Sequence, residues 1–147
     1  MIYLEKPNDF NSRFDIVSNL IEREDGKFLL LKRALHKPQG GTWGIPTGKV
    51  EEGEDFIDAI IRETFEETGI EIKPSDLKMH PVLYVRVEKD GYDLIYHMYS
   101  SMVPLDTEII LEKSAHDDYE WVTPQESLEM NLIHDMQPII IKFFNLN

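Results

Sequence analysis

Apolar and polar positions mix over residues 14–22, Phe-Asp-Ile-Val-Ser-Asn-Leu-Ile-Glu, and over 27–33, Lys-Phe-Leu-Leu-Leu-Lys-Arg, and both stretches read as strands. Glu24-Asp25-Gly26 between them is a turn signal, so the two form a hairpin. Residues 34–42 hold Pro38, Gly40 and Gly41 and read as a loop, followed by a short strand at Trp43 to Ile45 and the turn Pro46-Thr47-Gly48. From Asp55 to Thr68 the period changes to that of a helix, and Gly69 stands where a C-terminal glycine stop belongs. On a helical wheel Ile57, Ile60, Ile61, Thr64 and Thr68 share the face expected to reach the core, whereas Glu63, Glu66 and Glu67 share another, expected to meet solvent. Two long strands follow, Leu77 to Glu88 and Tyr92 to Val103, joined by Lys89-Asp90-Gly91. A short strand at Glu120 to Thr123 and a C-terminal helix from about Asp135 to Asn145, starting in earnest at Pro138, complete the pattern. Strands and helices alternate without a regular βα rhythm, so the predicted class is α+β with a sandwiched sheet.

The length of 147 residues allows one domain with a real core, taken here as 1–147. A hydrophobic content of 41% argues against disorder. The formal charge of −13 and the lack of a basic stripe disfavour a phosphate-backbone binder, so no nucleic-acid polymer is expected as partner. A polyanionic small molecule would need a cation to offset the repulsion, and bound metal is the natural candidate. The absence of cysteine removes disulfides and thiolate metal sites. With no leader and no run of 18 apolar residues, a cytoplasmic protein with no membrane association is expected.

The chemistry concentrates between Gly48 and Ile70. Glu63, Glu66 and Glu67 crowd one helical turn, with Arg62 the only cation nearby. Glu63 and Glu67 form a like-charge pair that costs an isolated helix about 0.2–0.5 kcal/mol. Taken alone, E-x-x-E-E is most simply a solvated acidic face. A set of hard oxygen donors without nitrogen or sulfur partners instead suits Mg²⁺, with Mn²⁺ as a substitute.

The full spacing is G-x5-E-x7-R-E-x-x-E-E-x-G followed by an apolar residue, carried by Gly48, Glu54, Arg62, Glu63, Glu66, Glu67, Gly69 and Ile70. This resembles the box of the Nudix hydrolase family, in its MutT-like nucleoside triphosphate branch; one position departs, Thr64 standing where the family has an apolar residue. Trp43-x-x-Pro46-Thr47-Gly48 is similar to the family's approach to the box, with Thr47 in place of a glycine. The resemblance implies an α/β/α sandwich with a mixed sheet, and hydrolysis of a nucleoside diphosphate linked to a further group by water attack on phosphorus. It implies that Glu63, Glu66, Glu67 and the Gly48 carbonyl hold Mg²⁺, that Glu54 and Arg62 pair to orient the carboxylates, and that Arg33 touches substrate phosphate. A nucleotide is then the small-molecule partner, with a homodimer as an allowed assembly. Trp43, Tyr84, Tyr96 and Tyr99 are candidates for stacking on a base.

The late segment His116-Asp117-Asp118-Tyr119-Glu120-Trp121 leaves the general base open. Relatives often carry a glutamate where Ala115 stands, and His116, Asp117 and Asp118 are its possible replacements. His116 is a candidate catalytic base because imidazole titrates near neutrality. The segment is also similar to the loop of GDP-mannose mannosyl hydrolases, which gives a second expectation of attack at the sugar carbon. A ligand-binding Nudix module without turnover is the expectation from another class.

Overall fold

The computed structural model describes residues 1–147 throughout. Its first strands are β1 (Ile2–Tyr3), β2 (Ser12–Arg23), β3 (Phe28–Arg33), β4 (Trp43–Gly44) and β5 (Thr47–Lys49). The helix α1 (Phe56–Thr68) precedes β6 (Lys78–Met79), β7 (Leu83–Val87), β8 (Tyr92–Val103) and β9 (His116–Val122); α2 (Pro124–Ser127) and α3 (Met136–Phe143) close the chain. The main sheet runs β1-β7-β8-β2-β3-β4, and β5, β6 and β9 pair with β2, β8 and β3. β2 and β8 lie parallel along most of their length, from Phe14↔Leu94 to Arg23↔Val103, while the other pairings are antiparallel, so the sheet is mixed. No helix is long and apolar enough to cross a membrane.

Side-chain alternation along β2 explains why both faces are covered. Ile16 and Leu20 point to the face where Met136, Ile139 and Ile140 of α3 pack. Val17 points to the opposite face, against Ala59 and Ile60 of α1, and Ile21 joins Ile70 and Ile72 just beyond that helix. The result is the expected α/β/α sandwich.

The helix starts at a cap, Asp55 accepting the Asp58 N–H at 2.8 Å, and stops at Gly69 with φ 75°, a left-handed conformation that glycine adopts without strain. Its buried stripe is rotated from the expected one. Ile60, Thr64 and Thr68 are buried, but so are Ala59 and Glu67, and Ile57 and Ile61 are only half-buried. The cause is β5, whose backbone packs on the glutamate side of the helix. Thr64 is accommodated in the core because Asn19 donates to its hydroxyl at 3.2 Å and Ser101 in turn donates to Asn19 at 3.0 Å.

Two other expectations change. The span Leu77 to Glu88 is two strands, because Pro81 has no N–H to give the ladder and the chain breaks between β6 and β7. The late strand is longer than Glu120 to Thr123: it begins at His116 and covers the edge of β3 from Arg33↔His116 to Phe28↔Val122. Its outward residues Asp117 to Glu120 are exposed, which hid it from a hydrophobicity reading.

Candidate active site

β5 brings its backbone against α1. The Thr47 N–H donates to Glu67 Oε2 at 2.9 Å. Next to it, a Cβ on Gly48 would overlap the Glu63 carboxylate, so only glycine allows this approach. Glu67 was expected to face solvent; it is 8% exposed, because this junction encloses it. Glu63 is half-buried and Glu66 is exposed.

Arg62 organises the acids around it. It grips Glu54 with Nε to Oε2 at 2.8 Å and Nη2 to Oε1 at 2.9 Å, and reaches Glu63 at 2.8 Å and Glu66 at 3.2 Å through Nη1. Such bidentate, charge-assisted contacts fix orientation as well as charge. The hydrogen bonds from Arg62 hold the Glu54 carboxyl down to about 2, and the same partners push the guanidinium further above its ordinary value. Burial raises Glu63 above the ordinary carboxylate range against the pull of Arg62. Burial also raises Glu67 well above that range, reinforced by the charge of Glu63.

Glu112, in the loop before β9, is a further acid that sequence reading missed. It acts electrostatically on both Glu63 and Glu67, and its N–H points at the Glu67 carbonyl at 3.4 Å. The spacing to Trp121 led to Ala115 instead, since the loop's path decides which acid turns inward.

No three of these carboxylates already point at one position. Arg62 draws Glu63 and Glu66 towards itself. The donor set nonetheless fits a hard divalent cation: only oxygen ligands, a glycine backbone in contact, and buried carboxylates whose ionisation is opposed by burial and by each other.

Glu67 and Thr47 also line a cavity of about 270 Å³ that contains Arg33 and His116. Arg33 donates from Nε to the Pro38 carbonyl at 2.8 Å, leaving its terminal nitrogens without a protein acceptor. His116 is buried, not a solvated loop residue, and its Nδ1 has no partner. Burial and the nearby Arg33 charge lower its pKa to about 4, so it is neutral at pH 7. Tyr96 also lines the cavity. Trp43 does not: it packs at the edge of the core with Lys32 Nζ 5.9 Å from its ring centre. Tyr84 stacks edge-on against Phe10 and Tyr99 is buried under α1, away from the cavity. Asp117 and Asp118 are exposed on β9 and do not line the cavity.

The lowered His116 pKa has a measurable consequence. Between its ordinary value of 6.5 and about 4 the unfolded chain binds a proton that the folded protein refuses. Stability is therefore expected to fall as pH drops through this window, by up to about 3 kcal/mol. In urea titrations from pH 7 to 4, His116→Phe should flatten this part of the profile; an unchanged slope would place the linkage elsewhere.

A family model described as the NUDIX domain matches residues 13–143. The CTP pyrophosphohydrolase of Escherichia coli (strain K12) is 32% identical over 133 residues, spanning 90% of this chain and 92% of that protein. The crystal structure of the MutT protein from Methanosarcina mazei Go1 is similar with a TM-score of 0.76 at 26% identity, covering 95% of this chain and 97% of the other. The NUDIX domain of Shewanella oneidensis NrtR, solved with ADP ribose, gives a TM-score of 0.77 at 18% identity, covering 96% and 92%, and shows the fold alone.

Proposed function

Because the chain belongs to the Nudix family and is a Nudix hydrolase, we propose that it is a Mg²⁺-dependent pyrophosphohydrolase that converts a nucleoside triphosphate to monophosphate and pyrophosphate by water attack on phosphorus. The observation that carries this reading is the junction at which Gly48 and Thr47 close on Glu63 and Glu67 beside the cavity that holds Arg33. Glu63, Glu66, Glu67 and the Gly48 carbonyl would hold the metal, with Mn²⁺ as a substitute. Bound Mg²⁺ supplies charge neutralisation for the phosphates and a water of lowered pKa.

The chain's own residues do the rest. Arg62, held by Glu54, orients the Glu63 and Glu66 carboxylates. Arg33 offers its free terminal nitrogens to a phosphate oxygen, which suits a reaction that needs positioning and positive charge. Proton removal from the attacking water falls to Glu63 or Glu67, which burial, with the charges of the neighbouring acids, makes more basic than ordinary carboxylates. His116 is a poor base by comparison, since burial and Arg33 disfavour its protonation. This weakens the reading in which His116 drives attack at the carbon of a GDP-mannose-type sugar nucleotide. The complete set of box acids speaks against a binding module without turnover.

The name of the Escherichia coli relative makes CTP the first compound to try. Purified protein with Mg²⁺ would be given the nucleoside triphosphates, oxidised deoxynucleotides, ADP-ribose and GDP-mannose, with products resolved by anion exchange with and without phosphatase. Monophosphate plus pyrophosphate from a triphosphate is expected. GDP with free mannose would move the chemistry to carbon and to His116, and no turnover of any compound would favour the binding module.

A further inference from the structure

Two buried hydroxyls beside the junction of β5 and α1, Tyr96 Oη and Ser18 Oγ, have no hydrogen-bond partner in the protein. Tyr96 is 8% exposed and Ser18 0%. Leaving a buried hydroxyl unpaired is costly, and two in one place call for a use. The register of the sheet brings them together. Ser18 stands opposite Thr47 of β5, and Ile16, on the same face of β2 as Ser18, stands opposite Tyr96 of β8. The phenol therefore feels the hydroxyls of both Ser18 and Thr47, without the geometry of a hydrogen bond to either.

Counting donors and acceptors gives these three groups a direction. Thr47 gives its hydroxyl proton to the Ile45 carbonyl at 2.9 Å, so towards Tyr96 it can only accept. Tyr96 is then the donor to Thr47, and Ser18 the donor to Tyr96. Burial pushes the Tyr96 pKa up, which keeps the phenol protonated. The order Ser18, Tyr96, Thr47, Ile45 carbonyl is a polarised series in which each bond strengthens the next. It ends at the turn on which the acids depend. The Thr47 N–H holds Glu67 at 2.9 Å, and Gly48 beside it borders the Glu63 carboxylate. Thr47 stands where the family's approach to the box has a glycine, so the acceptor is a feature of this sequence and not of the box. Resting on the reading of this junction as the metal centre, we infer that Tyr96 is a positioning residue: its hydroxyl, backed by Ser18, closes onto Thr47 Oγ1 and fixes the β5 turn against Glu67 and Glu63. The same side chain lines the cavity, so it serves as wall and as brace.

Tyr96→Phe separates the two roles, because it keeps the ring and removes only the hydroxyl. Melting temperature is read against Mg²⁺ concentration, and kcat and KM are measured with the triphosphate that the wild type hydrolyses. In EDTA the variant should melt no lower than the wild type, since phenylalanine leaves no donor unpaired. The Mg²⁺ concentration for half of the full rise in melting temperature should increase about tenfold, and kcat should fall about tenfold, as for loss of a group that orients metal ligands. KM should stay within about twofold, because the cavity wall is intact. Thr47→Val, which keeps the backbone N–H, should do the same, and the double variant should be no worse than the worse single one. An unchanged Mg²⁺ response and kcat in Tyr96→Phe would overturn the inference and leave a purely structural hydroxyl. Effects that multiply in the double variant would overturn it too, by showing that Tyr96 does not act through Thr47. Absence of triphosphate turnover by the wild type would remove the pyrophosphohydrolase reading alone, because the Mg²⁺ titration still decides the role of Tyr96. A wild type whose melting temperature ignores Mg²⁺ would remove the metal centre and the inference together.

Discussion

Glu67→Gln is expected to lower kcat for triphosphate hydrolysis by at least about 100-fold, or about 2.7 kcal/mol of barrier, while making the metal-free protein more stable. The two effects have one cause. Glu67 is buried beside Glu63, and its pKa is raised well above 4.5. Between 4.5 and that raised value the folded protein holds a proton that the unfolded chain has lost, so the stability of the metal-free protein falls as pH rises across the window. Above that window, an ionised Glu67 is a cost that a neutral amide of the same shape avoids. Glutamine keeps an acceptor for the Thr47 N–H, now 2.9 Å from Oε2. Added Mg²⁺ should reverse the ranking: the wild type gains about 2.7 kcal/mol at a metal concentration of 100 Kd, and the variant gains little. Thermal melts at pH 6 to 9 with EDTA or Mg²⁺ read all of this. A variant that keeps more than a tenth of the activity, or that melts lower without metal, would remove Glu67 from the centre.

Gly48→Ala should cost a comparable factor in kcat/KM with little loss of fold. Gly48 is absent from the positive-φ residues, so alanine suits the backbone. The three atoms nearest the added methyl all belong to the Glu63 carboxylate, the end of a flexible side chain that can swing away. The expected stability change is therefore within about 1 kcal/mol, while the displaced carboxylate abolishes the gain in melting temperature with Mg²⁺. Coupling provides the control. In a Glu63→Ala background the methyl has nothing to displace, and Gly48→Ala should add little. Equal effects in both backgrounds would show that the glycine serves the β5 backbone instead.

Much of this centre was legible in the linear chain because its parts are local. The spacing from Gly48 to Ile70 spans one turn and one helix, and helix periodicity fixes which acids are neighbours without any tertiary information. The glycine stop and the long strand β8 were readable for the same reason. The errors arose where distant segments meet. The Glu67 side of the helix was read as solvent-facing because only the packing of β5 closes it. Glu112 was passed over since spacing to Trp121 says nothing about the path of a loop. His116 looked like a loop residue until pairing with Arg33 put it in the edge strand. Trp43 was a candidate by type, yet its place in β4 sends it to the core margin.

The order of residues alone thus supplies the candidates: an oxygen-only donor set, one arginine among the acids, no cysteine, and a box that marks the family. Those are matters of identity and short-range spacing. Which carboxylates lose their water, what their pKa values become, and which cations and apolar walls complete the cavity depend on segments such as Arg33, Thr47, Tyr96 and Glu112. Desolvation and Coulomb forces act through space, so only the folded sandwich, which gathers those segments around α1 and the strands beside it, decides them.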